Sequence, residues 1–133
     1  MASYHLSVKT GGKGSASPHA DYISREGKYA REKDSDLEHK ESGNMPAWAA
    51  HKPTEFWKAA DTSERANGCT YREIEIALPR ELKPEQRLEL VRDFVRQEIG
   101  DRHAYQFAIH NPKAAIAGGE QPHAHIMFSE RLN

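Results

Sequence analysis

Hydrophobic and polar residues alternate along four short stretches of the chain. A period of two is typical of β-strands, because successive side chains point to opposite faces of a sheet. The four predicted strands are residues 4–9, 69–78, 105–110 and 122–129. In the first of them Leu6 and Val8 share one face, which predicts a half-buried strand. In the second, Pro79 ends the alternation.

Three other stretches carry hydrophobic residues at intervals of three and four, the spacing of a helix with one buried face. The three predicted helices are residues 18–30, 53–67 and 84–99. Ser17 and Pro18 suit the N-cap and the first helical position of the first helix. Gly68 and Gly100 directly follow the other two helices, where glycine commonly ends a helix.

Two segments are typical of loops. Residues 10–18 contain three glycines and two serines, so they have little side-chain surface to bury. Residues 34–46 are rich in acidic side chains, which predicts an exposed crossover. The element order is then β-α-α-β-α-β-β, and the connection over residues 111–121 is short enough for the last two strands to pair antiparallel. This order predicts an α+β fold, an antiparallel β-sheet with helices packed against one side.

Length and composition narrow the class of protein. The chain has 133 residues and a net charge of −1 with histidine neutral. This length fits a single domain, residues 1–133, and the balanced charge excludes a protein that coats nucleic acid by bulk charge alone. No stretch approaches the roughly 20 apolar residues of a transmembrane helix, and residues 1–5 do not show the charged and apolar regions typical of a signal peptide. With one cysteine, Cys69, an internal disulfide is impossible, so we expect a cytoplasmic protein without membrane insertion.

Positive charge is concentrated near the N-terminus. Residues 1–33 hold six Lys and Arg against three Asp and Glu, a net charge of +3, whereas the remaining residues carry −4. A local basic patch beside tyrosines suits the phosphate backbone of nucleic acid, with bases stacking on the rings. An ordinary amphipathic helix with an exposed tyrosine would give the same composition. The candidate DNA-binding residues are Lys9, Lys13, Arg25, Lys28 and Arg31.

Three of the eight histidines share a geometry. His123 and His125 are two residues apart on a predicted strand, so both imidazoles project from one face. His110 ends the preceding strand, and antiparallel pairing would bring it beside them. Three neutral imidazoles suit a divalent ion that keeps water or substrate, since a closed structural site usually has four protein ligands. The alternative is exposed histidines on a polar strand face. We assign no role to His39, His51 and His103.

Two carboxylates lie on one face of the predicted strand at residues 69–78. Glu73 and Glu75 are two residues apart and face away from the isoleucines of the same strand. Near the histidines, such a carboxylate would orient an imidazole by accepting its distal N–H, or accept the proton of a nucleophile. A solvated carboxylate pair on an outward face is the alternative that the spacing leaves open.

Six sets of residues carry a resemblance to a known family. They are residues 4–6 with 9–11, 20–30, 64–68, 72–79, 108–110 and 122–131. Together, and in this order, they make the chain similar to the MobA/MobL family of plasmid mobilization relaxases, which are His-hydrophobic-His endonucleases. The resemblance implies that Tyr22 is the catalytic nucleophile. The implied metal ligands are His110, His123 and His125.

The resemblance also implies an activity. Tyr22 would attack one strand of single-stranded DNA at a plasmid origin of transfer, leaving a 5′-phosphotyrosyl link and a free 3′-hydroxyl. Glu75, with a slight preference over Glu73, would be the base, and Mn²⁺ or Mg²⁺ would be the cofactor. Three imidazoles favour Mn²⁺ or a later transition metal over Mg²⁺, since Mg²⁺ prefers oxygen ligands. The alternatives are a rolling-circle replication initiator or single-strand transposase of the same superfamily, and a DNA-binding module that does not cleave.

The same resemblance also implies partner proteins and a nuclease domain longer than this sequence. It implies accessory relaxosome and coupling proteins as partners in a bacterial cytoplasm. Members of the family continue past the motif Ser129-Glu130-Arg131 with further residues of the nuclease domain. Because this sequence stops at Asn133, we expect a C-terminal part of the domain to be missing.

Overall fold

The computed structural model describes residues 6–12, 14–26, 36–63, 69–112 and 121–131. They form three α-helices and five β-strands. The helices are α1 (Ala16–Ile23), α2 (Pro53–Ser63) and α3 (Pro84–Glu98). The strands are β1 (Leu6–Gly12), β2 (Leu37–Gly43), β3 (Cys69–Ala77), β4 (Tyr105–His110) and β5 (His123–Phe128). A short 3₁₀ turn, Ala47–Ala49, precedes α2.

All five strands belong to one antiparallel sheet in the order β1-β3-β5-β4-β2. β5 lies between β3 and β4. Its register places His123 opposite His110 and His125 opposite Glu75. The α+β prediction is thereby confirmed, as is the antiparallel pairing of the last two strands.

Helices cover both faces of this sheet, so the prediction of helices on one side is wrong. α3 packs on one face through residues such as Val91 and Ile99, whereas Ile23 of α1 and Trp57 of α2 pack on the other. The indole N–H of Trp57 donates to Oε1 of Gln106 at 2.8 Å, which satisfies both groups in the interior. The strand residues that α1 and α2 cover are small, flexible or polar, so no run of large apolar residues in the sequence indicated this second buried face. They include Gln106, Ala108, His110 and Met127.

Residues 37–43 form the edge strand β2, although the sequence predicted an exposed crossover there. Leu37 is the one large apolar residue of this strand, so no hydrophobic alternation marks it. Pairing with β4 and an ion pair to α3 hold it instead. Arg87 of α3 is 2% exposed, and its Nε donates to a Glu38 carboxylate oxygen at 3.0 Å.

β1 is an edge strand that continues to Gly12, into the segment predicted as a loop. Leu6 is 43% and Val8 55% exposed, so the predicted half-burial of this strand is wrong. Gly11 is required at its position, because any Cβ there would collide with the ring of Tyr71. The predicted start of the strand, before Leu6, lies outside the described residues.

The N-terminus of α1 is capped by a carboxylate of α2. Asp61 Oδ1 accepts the backbone N–H groups of Gly14 at 3.1 Å and Ala16 at 2.9 Å. Its Oδ2 accepts the N–H of Ser17 at 2.9 Å. A helix N-terminus leaves such donors without intrahelical partners, and a negative charge there matches the positive end of the helix dipole. The predicted N-cap, Ser17, is therefore the second residue of the helix, and Asp61 ties α1 to α2.

α1 ends at Ile23, whereas the sequence predicted a helix to residue 30. Arg25 adopts a φ of 53°, and the N–H of Glu26 donates to the Asp21 carbonyl at 2.8 Å, which closes the last turn. The predicted helix ends over residues 27–30 and 64–68 lie outside the described residues. Among the helices that are described, none has both the length and the apolar character that crossing a membrane requires.

We expect Asp61→Ala to lower the free energy of unfolding by about 2 kcal/mol, the upper end for loss of a helix cap, because one carboxylate serves three backbone donors. Urea denaturation followed by circular dichroism measures this loss. Asp93→Ala is the matched control, since Asp93 pairs with Arg96 on the exposed face of α3. Equal stability of the two variants would mean that other contacts hold α1 in place.

Candidate functional site

The three histidines of β4 and β5 converge on the sheet face that α1 and α2 cover. The ring centroids of His110 and His123 are 5.4 Å apart, and those of His123 and His125 are 4.9 Å apart. His110 and His125 are separated by 5.0 Å between centroids. One nitrogen from each ring lies within 4.8 Å of the other two. We call these three residues the histidine cluster.

Backbone carbonyls orient two of these rings. His110 Nε2 donates to the carbonyl of Ile23 at 2.6 Å, and His123 Nδ1 donates to that of Gln121 at 3.2 Å. In each neutral ring the other nitrogen therefore carries a lone pair. Burial lowers the pKa of His110 to about 4, against the opposing effect of the Ile23 carbonyl. Burial likewise lowers the pKa of His123. Both rings are neutral at physiological pH, as metal ligands must be.

The donor set of the histidine cluster suits a divalent ion. Ligand atoms about 2.1 Å from one ion lie at most roughly 4.2 Å apart. The three nitrogens, which lie within 4.8 Å of one another, are close to that spacing. Proteins commonly present histidine to metals in this way, with the distal nitrogen held by a carbonyl or a carboxylate. Three imidazoles also leave coordination positions for the oxygen atoms of water or substrate.

Glu73 of β3 is buried beside the histidine cluster, with 2% of its surface exposed. Its Oε1 lies 2.6 Å from His19 Nε2 and 3.3 Å from His125 Nδ1. The His125 contact departs from hydrogen-bond geometry, so the bond to His19 is the stronger one. Burial alone would raise the pKa of Glu73, but the adjacent imidazoles of His125 and His19 outweigh that effect and hold the pKa at about 2. The carboxylate is therefore ionised.

Glu75 lies on the same strand face but is less buried, with 32% of its side chain exposed. Its Oε2 lies 3.9 Å from His125 Nε2. Its Oε1 lies 3.5 Å from the Nζ of Lys9 on β1. Both candidate glutamates therefore adjoin His125, Glu73 in the interior and Glu75 nearer the surface.

Tyr22 lies at the end of α1, next to the residue whose carbonyl holds the histidine cluster. It is 42% exposed, whereas the neighbouring Ile23 is fully buried and binds His110 through its backbone. The Arg25 guanidinium lies 5.0 Å from the centroid of the Tyr22 ring and donates from Nη1 to the Tyr22 carbonyl at 2.8 Å. The fold thus brings the predicted nucleophile to the same face as the predicted metal ligands.

The predicted DNA-binding residues are in different environments. Lys9 is exposed on β1, with its ammonium group near Glu75. Arg25 is mostly buried, because its guanidinium pairs with Asp36 at 2.7 Å and lies over Tyr22. The other three predicted residues lie outside the described part of the chain. They are Lys13, Lys28 and Arg31.

Sequence analysis missed His19, which contacts Glu73 from α1. Its ring stacks on Tyr71, with centroids 5.1 Å apart and an interplanar angle of 9°. The spacing of His19 and Tyr22, three residues apart on a predicted helix, was the available signal that both lie on one face. The remaining described histidines are elsewhere: His39 pairs with Glu41, His103 contacts the Arg131 carbonyl, and His51 is exposed. His5 lies outside the described residues.

Two curated proteins match the whole chain. It is 97% identical over 133 residues to the 43 kDa relaxation protein of Salmonella typhimurium, covering 100% of this chain and 36% of that protein. It is 48% identical over 137 residues to Mobilization protein A of Escherichia coli, covering 100% of this chain and 18% of that protein. The chain therefore spans about a third of the first relative and about a fifth of the second.

A solved structure shares the fold. It is described as "Molecular Basis of Vancomycin Resistance Transfer in Staphylococcus aureus", and it superposes with a TM-score of 0.75 over 99% of this chain and 76% of that chain. At 20% identity this likeness concerns the fold alone. The sequence model of one family matches residues 15–132. Because that model covers most of the sequence and a relative of 97% identity matches it from end to end, the chain belongs to the MobA/MobL family.

Proposed function

We propose that this chain is the nicking part of a mobilization relaxase, which cleaves one strand of DNA at a plasmid origin of transfer. The observation that carries the proposal is the histidine cluster, held by the backbone of α1 one residue away from Tyr22. The relaxation and mobilization proteins that the chain resembles support it. They also favour a transfer origin over a replication origin or a transposon end as the DNA that is nicked.

Tyr22 is the proposed nucleophile, because its side chain is exposed at the end of α1, where a DNA strand could reach it. Its phenolic oxygen forms a bond to the scissile phosphorus as the bond from phosphorus to the 3′-oxygen breaks. The product is a 5′-phosphotyrosyl link, and the departing 3′-oxygen takes up a proton. The exchange of one ester for another conserves the bond energy, so the reverse reaction can reseal the strand.

Each of the two glutamates has its own proposed role. Glu73 is ionised, with a pKa of about 2, and is already engaged with two imidazoles, so it orients His125. Glu75 is nearer the surface and adjoins the same histidine, so it is the proposed acceptor of the Tyr22 proton, directly or through water. A phenol has a reference pKa near ~10, which makes such assistance necessary at neutral pH.

The histidine cluster is the proposed holder of a divalent ion, with Mn²⁺ favoured over Mg²⁺ by its nitrogen donors. Bound there, such an ion offsets negative charge on the phosphate oxygens. His110 and His123 keep their lone pairs directed to the site through their carbonyl bonds. These backbone hydrogen bonds thus orient both imidazoles before the substrate binds.

The proposal extends to substrate, partners and location. Single-stranded DNA would bind across Lys9 and the basic N-terminal residues, with the full-length protein acting beside accessory relaxosome and coupling proteins in the bacterial cytoplasm. Residues 1–133 would form one nuclease domain whose C-terminal part continues in the longer relatives.

Tyr22→Phe should abolish the covalent DNA adduct while leaving oligonucleotide binding nearly unchanged, since the ring remains and only the reacting oxygen is lost. The assay incubates the chain with a labelled single-stranded transfer-origin oligonucleotide and Mn²⁺, then separates the adduct under denaturing conditions. Tyr29→Phe is the matched control and should form the adduct at the normal level. An adduct that persists in Tyr22→Phe would place the nucleophile elsewhere.

The double variant His123→Ala, His125→Ala should weaken Mn²⁺ binding more than about hundredfold, because two of the three imidazoles are removed. Isothermal titration calorimetry measures the affinity, and the adduct assay should lose its signal in parallel. His51→Ala removes an exposed histidine away from the cluster and should change neither result. Cleavage that survives in chelator would contradict a catalytic role for the ion.

Binding to single-stranded DNA should weaken with salt, because phosphate contacts release counterions. Lys9→Ala should lower the slope of log affinity against log salt by about 1 if this ammonium contacts a phosphate. Fluorescence anisotropy over a salt series gives the slope, with Lys58→Ala on α2 as the matched control. A slope that Lys9→Ala leaves unchanged would remove Lys9 from the DNA interface.

A further inference from the structure

His19 is on α1, the helix that carries Tyr22, and its side chain reaches Glu73 beside the histidine cluster. Its imidazole is one helical turn before Tyr22, with ring centroids 6.2 Å apart. Its Nε2 reaches Glu73 Oε1 at 2.6 Å, the oxygen that also faces His125 Nδ1. His19 therefore reaches the proposed metal ligand His125 through Glu73, whose carboxylate contacts both imidazoles.

The ring of His19 is fixed from its other side. It stacks nearly parallel on Tyr71, and the Tyr71 ring in turn lies against Gly11, where no side chain fits. The side chain of His19 is 24% exposed, whereas that of Glu73 is 3% exposed. A buried carboxylate needs donors to stay in place, and His19 supplies the shorter of its two imidazole contacts.

We propose that His19 is a positioning residue, whose Nε2–H holds the Glu73 carboxylate against Nδ1–H of His125 and thereby directs His125 Nε2 to the metal site. A carboxylate oxygen accepts hydrogen bonds, so His19 Nε2, 2.6 Å from Glu73 Oε1, is the donor in that bond. We place the proton of His125 on Nδ1, the nitrogen that faces the same oxygen at 3.3 Å. Without His19 the carboxylate can rotate about its terminal bond, and the His125 ring loses the group that fixes its tautomer. The expected effect on metal binding rests on the proposed metal site. The arrangement of His19, Glu73 and His125 does not depend on it.

The first test needs no metal. Nitrogen-15 spectra of the imidazoles in the 133-residue chain report which ring nitrogen of His125 carries the proton. We expect wild type to hold the Nδ1–H form and His19→Leu to give a mixture of both tautomers. His19→Gln retains an N–H donor for Glu73 and should restore the Nδ1–H form. A His125 signal unaffected by His19→Leu would overturn the proposal.

The second test measures Mn²⁺ affinity by calorimetry on the same variants. His19→Leu should bind Mn²⁺ about tenfold more weakly, the usual effect of losing a group that orients a metal ligand, and His19→Gln should recover most of the affinity. Wild-type affinity in His19→Leu would overturn the proposal. Thermal unfolding of each variant identifies any loss of fold, and equal loss of affinity in Gln and Leu variants of unchanged stability would also count against it.

The two tests separate this inference from the proposed function. Absence of Mn²⁺ binding to the wild-type chain would contradict the metal site, while the tautomer of His125 would still report on His19. Loss of the adduct in His19→Leu with an unchanged His125 spectrum would instead assign His19 a role toward Tyr22 and overturn its positioning of Glu73.

Discussion

The antiparallel pairing of β5 between β3 and β4 is the constraint on which the candidate site depends. Pairing with β4 sets His123 against His110, and pairing with β3 sets His125 against Glu75. A shift of one residue in either register would move a histidine to the face that α3 covers. The apolar residues of β5, such as Ile126, resist that shift because they are buried against α3. The same packing that stabilises the core therefore fixes the chemistry on the opposite face.

α1 adds the second half of the site, and polar contacts at its two ends hold it in addition to the buried side chains of Ala16, Ala20 and Ile23. Asp61 binds its N-terminus, and the carbonyl of Ile23 near its C-terminus accepts the N–H of His110. The eight residues of α1 are too few for a helix that is stable alone. The contacts at its two ends, together with its buried side chains, set the position of α1 and with it that of Tyr22.

The elements with strong periodicity were predictable from sequence, and so was the convergence of the three histidines. β5 places two of them on one face by spacing alone, and a hairpin adds His110. β2 was not predictable, because pairing with β4 and the ion pair of Glu38 with Arg87 hold it rather than an alternation of apolar side chains. The burial of Glu73 was equally hidden, since it depends on where α1 crosses the sheet. Local patterns carry no information on such a crossing.

The contact between His110 and Ile23 joins residues 87 positions apart in the chain. The sheet interior is filled by β5, one of the last segments of this sequence to leave a ribosome. A nascent chain that ends before β5 has α1 and Tyr22 but lacks two of the three histidines and the central strand that sets their register. Such long-range pairing is slow, because the chain loses entropy in closing the loop before the contacts stabilise it. A chain without β5 therefore has no assembled histidine cluster, and the proposed nucleophile Tyr22 then lacks two of its three proposed metal ligands.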